Sequence, residues 1–260
     1  MKTLRSASLL ALSAALLLAG CHRHAASNAA PLTGSSPAQS APVIDPATAG
    51  TITGVVHFTG KTPQRLQIDM SADPACAMSA TPNYTEQYIV TGGHLANVFI
   101  YVKSGIAPWQ ASAGAPPVVM DQKGCRYIPH VVGVQQGGNV EFRNSDPTSH
   151  NVHTLPTNPA NHSVDLSEMP GSQPQTETFH APELMIPVRC NNHPWMQAFI
   201  NVAPNAFFAV TAPDGTFTLH GLPPATYTVA AVHEKLGEQD LQVTVSPRST
   251  AKADFTFAAK

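Results

Sequence analysis

The chain has 260 residues, of which only 12% are charged, with 24 prolines, 17 glycines and a formal net charge of −2. That length admits two small domains and little more. No basic run is present, which removes nucleic acid from the candidate partners. Val/Thr/Phe alternation without a sustained 3.6-residue period points to an all-β fold.

Lys2 and Arg5 precede the apolar run Leu9 to Leu18, which is too short for a stable membrane span and has the layout of an export signal. The run ends in Leu18-Ala19-Gly20-Cys21, which resembles the lipobox of bacterial lipoproteins. The resemblance implies removal of residues 1–20 and lipid on Cys21; an ordinary secretory cleavage nearby is the alternative. His22 follows, not the Asp associated with inner-membrane retention, so a periplasmic protein anchored to the outer membrane is expected. Residues 21–49 are mostly Ala, Ser, Pro and Gly and read as a flexible tether, with His22 and His24 solvated.

Order is predicted to begin with a strand in which Ile52, Gly54, Val56 and Phe58 alternate with polar partners, turning at Gly60-Lys61. An irregular stretch holding Cys76 follows, then a strand on which Val98, Ile100 and Val102 share a face. From Val118 the pattern is strand, Pro129, apolar strand, turn at Gly137-Gly138, and a strand with Val140 and Phe142 inward and Asn139, Glu141 and Arg143 outward. His150 lies in the loop beyond it. A polar stretch leads to an apolar strand, Leu184 to Arg189, and then to the loop Cys-Asn-Asn-His-Pro-Trp-Met that places Cys190, His193 and Met196 within seven residues. A closing strand carries Ala198, Ile200 and Val202 on one face.

Ligand softness decides the chemistry of that loop. Thiolate with imidazole suits zinc or copper, whereas a thioether is a poor zinc ligand and a good copper one. Two histidines and a cysteine with a weak axial methionine form the donor set of a type 1 copper site, and His150 supplies the second imidazole. With His150-Asn151-Val152 upstream, this constellation resembles the cupredoxin family, and the short ligand loop is most similar to the amicyanin type. The resemblance implies a Greek-key β-sandwich over residues 114–204 and one type 1 copper held by His150, Cys190, His193 and Met196. It also implies that Asn151, with Asn191 beside it, ties the two ligand loops together. Electrons would leave through an exposed edge of His193, with Pro194 and Trp195 as an apolar docking patch. Once Cys21 is given to lipid and Cys190 to copper, Cys76 and Cys125 remain, and an oxidising compartment is expected to pair them; two buried thiols are the alternative.

The tail, with Thr211, Asp214-Gly215, Phe217, Leu219, Leu222-Pro223-Pro224, Thr226-Tyr227 and Val229, resembles the carboxypeptidase regulatory-like, prealbumin-type β-sandwich. Ala225 departs from that pattern, where the family usually has Gly. Residues 205–258 are few for a sandwich alone, so residues 50–113 are expected to complete it, with the cupredoxin inserted between; separate modules in series are the alternative. The function expected is a non-enzymatic, lipid-anchored blue copper protein that moves single electrons. Its partner would be a cytochrome c or a quinoprotein dehydrogenase, with a link to methylamine utilisation. A copper-handling protein and a copper enzyme with an open site are the alternatives. His130, His153, His162 and the pair His233-Glu234 are expected to be surface or hydrogen-bonded groups, and a second metal near the first three stays open.

Overall fold

The computed structural model describes residues 41–78 and 81–259; the expected export signal, Cys21 and most of the tether lie outside them. Four strands come first: β1 (Gly50–Thr59), β2 (Val90–Thr91), β3 (His94–Leu95) and β4 (Phe99–Ser104), with the one-turn helix α1 (Pro74–Ala77) between β1 and β2. The middle of the chain forms β5 (Val118–Gln122), β6 (Tyr127–Ile128), β7 (Val131–Gln135), β8 (Gly138–Asn144), β9 (His150–Thr154), β10 (Asp165–Glu168), β11 (Gln175–Phe179), β12 (Glu183–Arg189) and β13 (Gln197–Ala203). The tail adds β14 (Phe208–Val210), β15 (Thr216–Leu222), β16 (Ala225–His233), β17 (Gly237–Val245), β18 (Thr250–Lys252) and β19 (Phe255–Ala258). The chain is all-β and sandwich-like, as the alternating pattern predicts.

Strands from the two ends of the chain face each other. One sheet runs β15–β1–β3–β2, with β18 and β19 pairing along β1 in parallel. The opposing sheet runs β14–β4–β16–β17. A single core between them contains Ile52, Val56, Val98, Val102, Leu219, Val229 and Phe255. β1 alternates buried and half-buried positions along its length, the period of a strand with one covered face. Its central Gly54 has a steric reason: a Cβ there would sit 1.9 Å from the Ala253 carbonyl oxygen.

The middle strands form the sheets β10–β9–β12–β13–β7 and β11–β8–β5–β6. Between these sheets lies a second core with Met120, Val140, Phe142, Val188, Cys190, Met196, Ala198 and Ile200. The connection from β1 to β2 departs from the expected boundary of residues 50–113. Met70 and Cys76 are buried in the second core, not the first. The Cys76–Cys125 disulfide, with Cα atoms 5.7 Å apart, joins α1 to the turn between β5 and β6.

A third cluster lies at the seam, where Phe99, Tyr101, Ala230 and Val232 of the flanking strands meet Val131 and Ala203 of the middle ones. β4 is therefore covered on both faces: Ile100 and Val102 enter the first core, Phe99 and Tyr101 the seam. Gly133 belongs to this contact, since a Cβ on it would lie 2.6 Å from the Phe99 ring and 2.7 Å from that of Phe208. A buried hydrogen-bonding contact also crosses the seam, between His130 Nε2 and Glu234 Oε1 at 2.7 Å.

Candidate metal centre

Two neighbouring strands deliver the candidate ligands. β9 begins at His150 and pairs with β12 through Val188–Thr154 and Arg189–His153. Cys190 follows β12 directly. The loop after it closes on itself, because Cys190 N–H donates to Met196 O at 3.3 Å and Met196 N–H to His193 O at 2.9 Å. That closure turns the intervening His193 inward, where it is 3% exposed.

Three ligand atoms converge. His150 Nδ1 lies 3.0 Å from His193 Nδ1, and Cys190 Sγ lies 3.5 Å from His193 Nδ1. One atom from each residue falls within 4.8 Å of the others, and all three side chains are buried. Met196 is buried in the same core as Cys190.

The far edge of each imidazole meets a carboxylate. His150 Nε2 is 2.9 Å from Asp146 Oδ2, and His193 Nε2 is 3.0 Å from Asp73 Oδ2. A neutral histidine that donates Nε2–H to a carboxylate presents a bare lone pair at Nδ1. Two such lone pairs 3.0 Å apart repel each other unless a proton or a cation lies between them. The donor set therefore fits a soft cation held by two imidazoles and a thiolate.

Electrostatics follow the same geometry. Burial pushes the His150 imidazole down, yet the Asp146 carboxylate and the Cys190 sulfur outweigh it and raise it to about 9. Burial pushes the Cys190 thiol up, but hydrogen bonds from His150, the Asn192 backbone and His193 bring it down to about 7, favouring thiolate. The hydrogen bond with His193 holds Asp73 at about 2. Burial works against ionisation of Asp146, and its bonds to His150 and to two backbone N–H groups still keep it below the ordinary range.

The next ring of residues joins the loops. Asn151 Oδ1 accepts the N–H of Asn191 at 3.2 Å, and Asn151 Nδ2 donates to Leu166 O at 3.1 Å. Asn191 in turn bonds His153 and Asp165 through its side chain. His130, His153 and His162 belong to no group of His, Cys, Asp and Glu close enough to share a metal ion among the described residues. His130 is 4% exposed and held by Glu234 and the Gln197 carbonyl, so it is not a surface group.

No protein-family model matches the chain, and no curated protein matches it in sequence. Solved structures to which it is similar are cupredoxins and a related enzyme. One is a methionine-to-alanine mutant of amicyanin in its Cu(I) form, at 23% identity and a TM-score of 0.29, covering 40% of this chain and 97% of that one. Another is a purple cupredoxin from Nitrosopumilus maritimus, at 17% identity and a TM-score of 0.27, covering 33% and 98%. A third is the copper-containing nitrite reductase of Thermus scotoductus SA-01, at 20% identity and a TM-score of 0.31, covering 38% of this chain and only 25% of the reductase.

The last of these corrects one expectation. The sequence reading held that the chain is not an enzyme; an enzyme stands among the structures it is similar to, and that reading is withdrawn. A second correction concerns the electron exit. His193 was expected to present an exposed edge, but Asp73 caps its Nε2 and Cys76 Sγ lies 3.9 Å away. Trp195 is half-buried and donates Nε1–H to Cys125 O at 3.1 Å, leaving Pro194 as the exposed member of the expected docking patch. The physical reason is the disulfide-tethered connection between β1 and β2, which lies over this pole. A surface cleft lined by Ala72, Asp73, Thr148, Ser149, Asn192 and His193 opens beside it.

Asp73 and Asp146 are the site residues that sequence reasoning missed. Asp146 had a faint signal, an Asn-Ser-Asp-Pro turn four residues before His150. Asp73 precedes Pro74, as an N-cap before a Pro at the first helical position would, but nothing local pairs it with a histidine 120 residues away.

Proposed function

We propose that the chain binds one copper ion as a type 1 centre at His150, Cys190, His193 and Met196 and carries single electrons. The observation that supports this reading is the convergence of two imidazole Nδ1 atoms and one thiol sulfur in a buried pocket whose outer imidazole edges are already committed to carboxylates. Copper held there would supply a one-electron Cu(I)/Cu(II) couple. The protein's part is to fix the donors. Asp146 and Asp73 hold the two imidazoles in the tautomer that aims Nδ1 inward, and the bonded loops of Asn151 and Asn191 keep His150 and Cys190 in register. The second core excludes water around Cys190 and Met196. A donor set that does not rearrange keeps the reorganisation on electron transfer small.

The wider setting of this proposal rests on the sequence. It is a periplasmic protein, lipid-anchored at Cys21 to the outer membrane, exchanging electrons with a cytochrome c or a quinoprotein dehydrogenase, with methylamine utilisation as the setting its amicyanin-like loop suggests. The cupredoxin occupies residues 114–204, inserted in a regulatory-like sandwich built from the flanking segments.

The test is a visible and EPR spectrum of the copper-loaded protein. An intense thiolate-to-copper band is expected, lost in Cys190→Ser while the far-ultraviolet CD of the β-fold is kept. A colourless wild type after loading removes the assignment.

A further inference from the structure

The two imidazoles obtain their carboxylates in different ways, and the one serving His193 comes from outside the middle strands. Asp73 sits in the connection between β1 and β2. Its Oδ1 accepts the N–H groups of Ala75 at 2.7 Å and Cys76 at 3.1 Å, capping α1. Its Oδ2 accepts the Thr148 hydroxyl at 3.0 Å and lies 3.0 Å from His193 Nε2. One turn on, Cys76 is bonded to Cys125. The backbone N–H of Cys125 donates to Asp146, and Asp146 holds His150. The staple thus ties the segment that carries Asp73 to a turn whose backbone N–H bonds the Asp146 carboxylate.

We infer that Asp73 is a positioning residue for the metal centre: by accepting Nε2–H from His193 it fixes the tautomer and ring orientation that point Nδ1 at His150 and Cys190, and the Cys76–Cys125 staple holds it there. The inference rests on the reading of His150, Cys190 and His193 as ligands. An imidazole edge in water is free to exchange tautomers or flip its ring, because water donates and accepts equally. Against a carboxylate only one of those states keeps the hydrogen bond. Loss of such an outer partner typically costs about 10–100-fold in metal affinity.

Asp73→Asn separates this role from helix capping. Its amide oxygen can still accept from Ala75 and Cys76, while the amide nitrogen, a donor, now faces His193 Nε2. The tautomer is read from long-range proton–nitrogen NMR of the metal-free protein, and copper retention from transfer to a Cu(I) chelator after loading. The wild type is expected to carry its proton on Nε2 of His193, and Asp73→Asn to shift it toward Nδ1 and lose copper about 10–100-fold more readily. A wild-type His193 protonated on Nδ1 overturns the inference. So does an Asp73→Asn protein with unchanged tautomer and unchanged copper retention. A wild type with the Nε2–H tautomer that Asp73→Asn shifts, but with no charge-transfer band, supports the hold of Asp73 on His193 and overturns only the copper reading.

Discussion

His150 and His193 are chemically alike and structurally opposite. His150 takes its carboxylate from Asp146, four residues earlier on the same loop, and both side chains are buried. His193 takes its carboxylate from Asp73, 120 residues earlier, on a segment that enters from between two strands of the other sandwich. A local partner comes with the loop that makes the ligand. An imported one depends on a tertiary contact that must be built separately, here by a cap, a disulfide and a threonine. The first arrangement should be costly to break and the second easy to modulate.

Asp146→Ala should have the largest effect. It leaves a fully buried imidazole and two backbone N–H groups without their acceptor, at a cost of roughly 3–5 kcal/mol, measured by denaturant unfolding of the metal-free protein. A loss below about 1 kcal/mol, the level of an exposed pair, would mean that the local pair is not what holds this loop.

Removing the staple by the double change Cys76→Ala and Cys125→Ala should cost about 2–4 kcal/mol. The contrast predicts more than a stability loss. NMR should then report a mixed tautomer at His193 and an unchanged one at His150, and equal disturbance of the two would erase the distinction between them.

Another buried imidazole sharpens the comparison because a backbone N–H, not a carboxylate, bonds its ring. His233 Nδ1 accepts the N–H of Lys235 at 3.2 Å. Burial pushes His233 down to about 4, with Glu234 opposing and His130 and Lys235 adding to the fall. Because its folded value lies below the ordinary 6.5, the unfolded chain takes up the proton first as the pH drops. Stability should therefore fall between about pH 6.5 and 4, by up to about 3 kcal/mol from this group. His233→Gln should flatten the pH dependence over that window, and an identical slope in the two proteins would refute the assignment.

The smallest stability effect belongs to Asp73→Ala, which removes a helix cap and the acceptor of Thr148 and His193. Both border a surface cleft from which water can replace it, so the cost should be about 1–2 kcal/mol. A loss as large as that of Asp146→Ala would place Asp73 in the frame of the protein.

Much of this was written in local sequence. Period-two alternation marked β1, β8 and β13 with their inward residues, because a strand with one covered face prints its burial directly. The tight spacing of Cys190, His193 and Met196 announced a ligand loop, since two sulfur donors and an imidazole seldom fall so close by accident. What stayed hidden was every consequence of the two sandwiches meeting. Val98, Ile100 and Val102 were read as one buried face, but the run Val-Phe-Ile-Tyr-Val is apolar at its alternate positions as well, and Phe99 and Tyr101 bury the other face against the seam. The burial of His193 was invisible for the same reason. Its loop is short and exposed in isolation, and only the return of a distant segment covers it.

Gly133 shows what that meeting does to motion. Two aromatic rings rest where its side chain would be, so the seam closes to backbone distance there. Paired domains that touch through loose polar surfaces rock about their linker; here such a swing would have to drag Phe99 and Phe208 across a strand. The connection bearing Asp73 thus springs from a sandwich packed tightly against the one that carries the ligands. Within that frame the cap, the Cys76–Cys125 staple and the Thr148 hydroxyl set the last few ångströms, down to the 3.0 Å between Asp73 and His193.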